Sequence, residues 1–84
     1  MVDKKIGKVA HFYNKIQVAI IDLDDDLKVG DKIKFIRHGK DLFEQEILSM
    51  ELDHQKIESA KKGDSIGIKV DQPVKEGAEV FKIE

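Results

Sequence analysis

The chain has 84 residues, 40% of them hydrophobic and 38% charged, with a net charge of −2 and no cysteine. That length holds one modest core, which excludes an ordinary cofactor-binding α/β enzyme domain. The missing cysteines exclude disulfides and thiolate metal sites.

The chain also lacks an apolar run near the ~20 residues of a membrane span, and residues 1–5 lead into Ile6 without a signal-peptide stretch. The expectation is one cytoplasmic domain over residues 1–84 with no membrane contact.

Apolar residues alternate along most of the chain, with β-branched residues at the alternating places. Period two predicts half-buried strands near 5–13, 15–22, 32–38, 42–52, 65–71 and 79–83. Asn14-Lys15 is a candidate tight turn between the first two strands, and residues 37–41 read as a hairpin loop. Between 54 and 62 only Ile57 and Ala60 form a helical stripe, so this stretch reads as a loop with at most a short helical turn. Pro73 belongs in a loop or at a strand edge.

One pattern recurs. Leu27-Lys-Val-Gly-Asp-Lys-Ile33 is echoed by Ala60-Lys-Lys-Gly-Asp-Ser-Ile66, and by Val74-Lys-Glu-Gly-Ala-Glu-Val80 with Ala78 in place of Asp. The uneven spacing rules out a tandem solenoid repeat. A shared corner explains it: the first apolar residue anchors the loop, Gly supplies positive φ, Asp bonds nearby backbone amides, and the last apolar residue starts a strand. Six strands with three such corners, and edges that need protection, predict an all-β fold. Its expected form is a small closed six- or seven-stranded antiparallel Greek-key barrel. The expected core is Val9, Val18, Ile20, Leu27, Ile33, Phe35, Leu48, Met50, Ile57, Ile66, Ile68 and Val80.

Chemistry-bearing motifs are sparse. Asp22-Leu-Asp-Asp-Asp26 matches the start of a helical calcium loop. Leu27 and Ile33 stand where that loop needs Gly and a bidentate Glu, so a solvated loop is preferred. His11, His38 and His54 lack metal-ligand spacing. Ser49, Ser59 and Ser65 lie in no nucleophile-elbow motif. Glu44 and Glu46 share one strand face and read as surface charges. Gly63-Asp-Ser-Ile-Gly67 lacks the Lys-Ser/Thr pair of a phosphate loop. No catalytic residue, metal or cofactor is expected.

Charge is distributed unevenly. Residues 1–42 carry nine Lys/Arg against seven Asp/Glu, and residues 43–84 carry six against ten. Lys32 and Lys34 alternate with Ile33 and Phe35 on one outer strand face, and Arg37 and Lys40 flank the hairpin tip. Such a positive face, with Phe12 and Tyr13 as a stacking surface, suits phosphate contacts. The plainer alternative is that these lysines keep a strand face soluble.

The order of the pieces resembles domain II of the translational GTPases, the barrel of elongation factor Tu and its relatives. The matching text is Ile6-Gly-Lys-Val9, Val18-Ala-Ile20, residues 27–33, Ile47-Leu-Ser-Met-Glu51, residues 57–68 and Glu76-Gly-Ala-Glu-Val80. The chain is similar to short stand-alone elongation factor-like proteins. The resemblance implies a non-catalytic module that contacts RNA, with tRNA or the ribosome as partner. It also implies that Glu51 lines a terminal-adenosine pocket, with His54 the nearest basic residue after it. The RNA-contacting residues are then Lys32, Lys34, Arg37, Lys40, Glu51 and His54. A similar barrel ends some collagenase-like peptidases, which implies the alternative: a protein-interaction accessory domain with an exposed apolar patch. The oligomeric state is left open.

Overall fold

The computed structural model describes residues 3–83. Ten strands form in the order β1 Lys4–Tyr13, β2 Val18–Leu23, β3 Leu27–Lys28, β4 Lys32–Arg37, β5 Lys40–Glu46, β6 Met50–Leu52, β7 Gln55–Ile57, β8 Ser59–Ala60, β9 Ser65–Lys69 and β10 Glu79–Ile83. Eight of them make one antiparallel sheet in the order β5-β4-β10-β1-β2-β9-β6-β7, and β3 pairs with β8. The all-β expectation holds.

Closure does not. The large sheet has two ends, β5 and β7, and no ladder joins them. A side chain ties β5 to the chain leaving β9 instead. The Gln45 amide on β5 donates from Nε2 to the Lys69 carbonyl (2.9 Å), and its Oε1 accepts the Asp71 N–H (3.0 Å). One carboxamide thus presents a donor and an acceptor to the chain leaving β9, as a neighbouring strand would.

The three corners are built as their sequence predicts. Gly30, Gly63 and Gly77 all take positive φ, at 99°, 95° and 89°. Asp31 Oδ2 accepts the Lys28 N–H at 3.0 Å, and Asp64 Oδ2 accepts the Lys61 N–H at 3.1 Å. The anchors Leu27, Ala60 and Val74 are buried, and so are the strand starters Ile33, Ile66 and Val80. The first two corners face each other, because Leu27 and Ala60 are ladder partners.

The interior is hydrocarbon. Among the described residues no polar or charged residue is buried. Phe35 is fully buried and its ring lies 4.9 Å from that of Phe43. Eight of the expected core residues are inside, and Ile57 packs against them half-buried. Val18, Ile20 and Leu48 are not inside. Ala19, Ile21 and Leu23 face inward on β2, so their alternates face out. Leu48 is 79% exposed because Ile47 turns into the core between β5 and β6. The expected strand 42–52 is therefore two strands. The stretch 54–62 is extended as well, forming β7 and β8 with no helical turn.

Two irregularities on β1 decide which side chains point inward. Its pairing with β2 slips between Val9 and His11, and its pairing with β10 slips between Lys5 and Gly7. Each extra residue reverses the alternation and coils the strand. Gly7 permits the tightest approach. A Cβ there would stand 2.3 Å from the Asp22 carbonyl oxygen. No helix forms among the described residues, so none is long and apolar enough to cross a membrane.

Candidate functional site

The expected basic face is largely neutralised by its surroundings. Lys32 and Lys34 lie on β4 directly opposite Glu46 and Glu44 of β5. Directly opposed residues share a face, and opposite charges there attract. The Lys34 amine also pairs with Asp3, and lies 4.0 Å from Asp41. The hydrogen bond with Asp3 holds its pKa above the usual lysine value, with the charges of Asp3, Asp41 and Glu44 adding to the rise. Only 15% of the Lys34 side chain is exposed. Arg37 and Lys40 close the hairpin as ladder partners around His38-Gly39, both at positive φ as a two-residue primed turn requires. This region is a salt-bridged hairpin with cations at its tip.

Glu51 and His54 are elsewhere. Strands β10, β1, β2 and β9 stand between β4 and β6 in the sheet, so the six expected residues do not converge. Glu51 and His54 instead line an open groove of about 470 Å³ with Tyr13, Ile16, Val18, Ile20, Asp53, Ser65 and Gly67. The β1–β2 hairpin supplies Tyr13 and Ile16, 48% and 60% exposed. Val18 and Ile20 occupy the outward face of β2. Gly67, opposite Ile20 on β9, leaves the hollow. A Cβ there would meet Ile20 Cδ1 and Val18 Cγ1 at 3.4 Å, an ordinary contact, so the gap is vacant side-chain space. The β6–β7 turn, Asp53-His54, forms the rim, with φ of 53° and 66°. Aspartate and histidine tolerate that region better than most residues with a Cβ.

The rim is acidic. Among the described residues, neither Glu51 nor Asp53 takes part in an ion pair. The groove therefore combines apolar walls with two carboxylates outside any ion pair, and Lys56 of β7 lies opposite Glu51 in the ladder. Two signals in the sequence pointed to it. Val18-Ala-Ile-Ile21 is apolar on both strand faces, and Gly67 sits at an outward position between Ile66 and Ile68.

A second groove of about 610 Å³ lies between the two facing corners, lined in part by Asp31, Asp64 and Lys82. Its groups have structural partners. Both carboxylates cap backbone amides, and Lys82 Nζ is 3.7 Å from Asp31 Oδ2. The Asp22–Asp26 loop is likewise tied down. Asp22 accepts a 2.6 Å bond from Ser65 Oγ. Asp25 pairs with Lys4 at 2.5 Å, and that hydrogen bond holds its carboxyl below the usual range. His11 Nδ1 is 2.7 Å from Glu76 Oε2, and the His11 ring meets Tyr13 edge-on at 4.4 Å. Among the described residues, no three His, Asp or Glu side chains are placed to hold a metal ion.

No family model matches the chain. A relative does. It is 42% identical over 77 residues to an uncharacterized protease of Methanocaldococcus jannaschii, a match that covers 92% of this chain. The chain spans 19% of that protease's length. Among solved structures it is similar to the C-terminal domain of a putative U32 peptidase of Geobacillus thermoleovorans. One crystal structure of that domain gives a TM-score of 0.88, covering 96% of this chain and 93% of that one at 17% identity. Its selenomethionine variant gives 0.85, covering 92% and 96% at 16% identity. These two likenesses establish a shared fold.

The comparisons overturn the translation-factor expectation. The similarity found is to a protease and to a peptidase's C-terminal domain, not to domain II of a translational GTPase. The roles in RNA binding and protein biosynthesis that rested on that resemblance fall with it. Fold alone does not carry function.

Proposed function

We propose that this chain is a cytoplasmic, non-catalytic accessory module, one domain over residues 1–84, that works beside a peptidase catalytic unit by binding protein. The match to 77 residues of a protease about five times longer than the matched part carries this reading. The apolar, acid-rimmed groove supports it, because an exposed apolar hollow suits a protein surface and carboxylates at its rim disfavour nucleic-acid phosphates.

The test is capture. The tagged chain is cross-linked in its source cells and the recovered polypeptides are identified by mass spectrometry. The expected product is a peptidase resembling the part of the Methanocaldococcus jannaschii protease that lies outside the 77 matched residues. Recovery that disappears on nuclease treatment, with no peptidase in it, would overturn the reading. The purified chain alone is expected to leave casein uncut.

A further inference from the structure

We infer that the Gly67 groove is the docking site, and that its occupant is a protein segment presenting one large apolar side chain next to a lysine or arginine. This inference rests on the accessory-module reading and adds which surface binds and what it recognises.

Three observations carry it. The first is shape. The hollow over Gly67 is walled by Val18, Ile20, Ile16 and Tyr13, and it is vacant because Gly67 has no side chain. An apolar group of a partner fills the space a Cβ would otherwise take, and that burial supplies the driving force. The second is charge. Glu51 and Asp53 line the groove and make no ion pair among the described residues, and none of its lining residues is a lysine or arginine, although Lys56 lies opposite Glu51 in the ladder. A cation arriving beside the apolar anchor meets these two carboxylates. Complementary charge at the rim sets specificity and encounter rate more than affinity. The third is rigidity. Gly67 pairs with Ile20 on one side and Glu51 on the other, and Val18 closes the β1–β2 hairpin opposite Tyr13. Tyr13, Val18 and Ile20 are thus ladder residues, with Ile16 in the tight turn between them, and binding costs little ordering of the strand walls.

The other candidate occupant, a second copy of this chain, is less well matched. The groove's acidic rim would meet an equally acidic rim across a two-fold axis, and like charges would oppose one another.

The experiment selects from a phage-displayed library of random linear peptides on the full chain. Enriched peptides are then measured by fluorescence anisotropy against wild type, Ile16→Glu, the double variant Glu51→Lys/Asp53→Lys, and Leu48→Asp as an exposed apolar control away from the groove. The expected consensus is an aliphatic or aromatic residue adjoining Lys or Arg. Ile16→Glu is expected to weaken binding about tenfold or more, the double variant to shift selection toward Asp or Glu beside the anchor, and Leu48→Asp to leave it unchanged.

Ile16 is mostly exposed, so thermal unfolding should match wild type and rule out misfolding as the cause. No enrichment, enrichment without a basic residue, or equal binding by Ile16→Glu would each overturn the inference. So would concentration-dependent dimerisation in sedimentation that Ile16→Glu abolishes. The two claims separate in the capture experiment. A peptidase recovered equally by wild type and Ile16→Glu keeps the accessory reading and rejects this groove. No peptidase with either rejects the accessory reading itself.

Discussion

Residues 27–35 and 60–68 are two copies of one device that end differently. Each begins on a buried anchor, turns at a positive-φ glycine, caps a backbone amide with an aspartate and runs into a strand. Inward positions correspond: Ile33 and Phe35 in the first, Ile66 and Ile68 in the second. The outward position between them holds Lys34 in one and Gly67 in the other. Lys34 covers its strand with a long side chain tied to Asp3 and Asp41. Gly67 leaves its strand bare and opens a groove. A shared corner thus fixes the frame, and a single outward residue decides whether the face is sealed by paired charge or left able to receive a partner.

Truncating the shared inward positions should do the most damage. Phe35→Ala and Ile68→Ala are each expected to cost about 2–5 kcal/mol in urea unfolding, with the phenylalanine at the upper end. Comparable loss at both would confirm that the two copies stabilise one core. Loss at only one would show that the copies are not equivalent.

The corner caps come next. Asp31→Ala and Asp64→Ala each remove a carboxylate acceptor from a backbone N–H and are expected to cost about 1 kcal/mol. Asp31 should cost more, because Lys82 also lies beside it. The third corner supplies the converse. Ala78 is fully buried there, so Ala78→Asp is expected to destabilise by about 1 kcal/mol or more instead of adding a cap.

The outward positions give the next test. Gly67→Ala is expected to raise stability by about 0.5 kcal/mol, since its backbone is ordinary strand and its Cβ would contact only the Ile20 and Val18 side chains, at 3.4 Å. The same change should reduce peptide binding by filling the hollow, so stability and binding move in opposite directions.

Titration supplies the smallest effect. The raised Lys34 pKa means its ion pairs stabilise the fold below about pH 10.5 and stop doing so as pH rises through the raised value. The lowered Asp25 pKa works at the other end. Its pairing with Lys4 stabilises the fold above about pH 4 and is lost as pH falls through the lowered value. Thermal unfolding across pH with Lys34→Met should show the alkaline slope reduced and the acid slope kept.

The corners were legible in the sequence because each is local: seven residues specify the anchor, the glycine and the cap. Strand positions were legible where polar and apolar residues alternate, as in 32–35. They were not legible at 18–21, where both faces are apolar and the slip at Ala10 changes which one points inward. The pairing of β7 was missed because Asp53-His54 lacks the glycine that usually marks a tight turn. The basic face was misjudged for a further reason. Counting Lys32, Lys34, Arg37 and Lys40 along the chain cannot show that Asp3, Asp41, Glu44 and Glu46 lie against them. Only strand register shows that. No sequence pattern marks Glu51 and His54 as neighbours of Tyr13, because only the sheet order β1-β2-β9-β6 brings them to one groove.

The Gln45 carboxamide ties β5, one end of the large sheet, to the chain leaving β9 through one side chain rather than through a strand ladder. Amide hydrogens near that fastening, Asp71 above all, should exchange with deuterium through a small local parting that leaves the rest of the molecule folded. Protection at Ile21 and Val80, deep in the continuous ladders, should require the whole molecule to come apart. Replacing Gln45 with leucine should therefore loosen β5 and the chain leaving β9, while the amides of Ile21 and Val80 stay as slow to exchange as before.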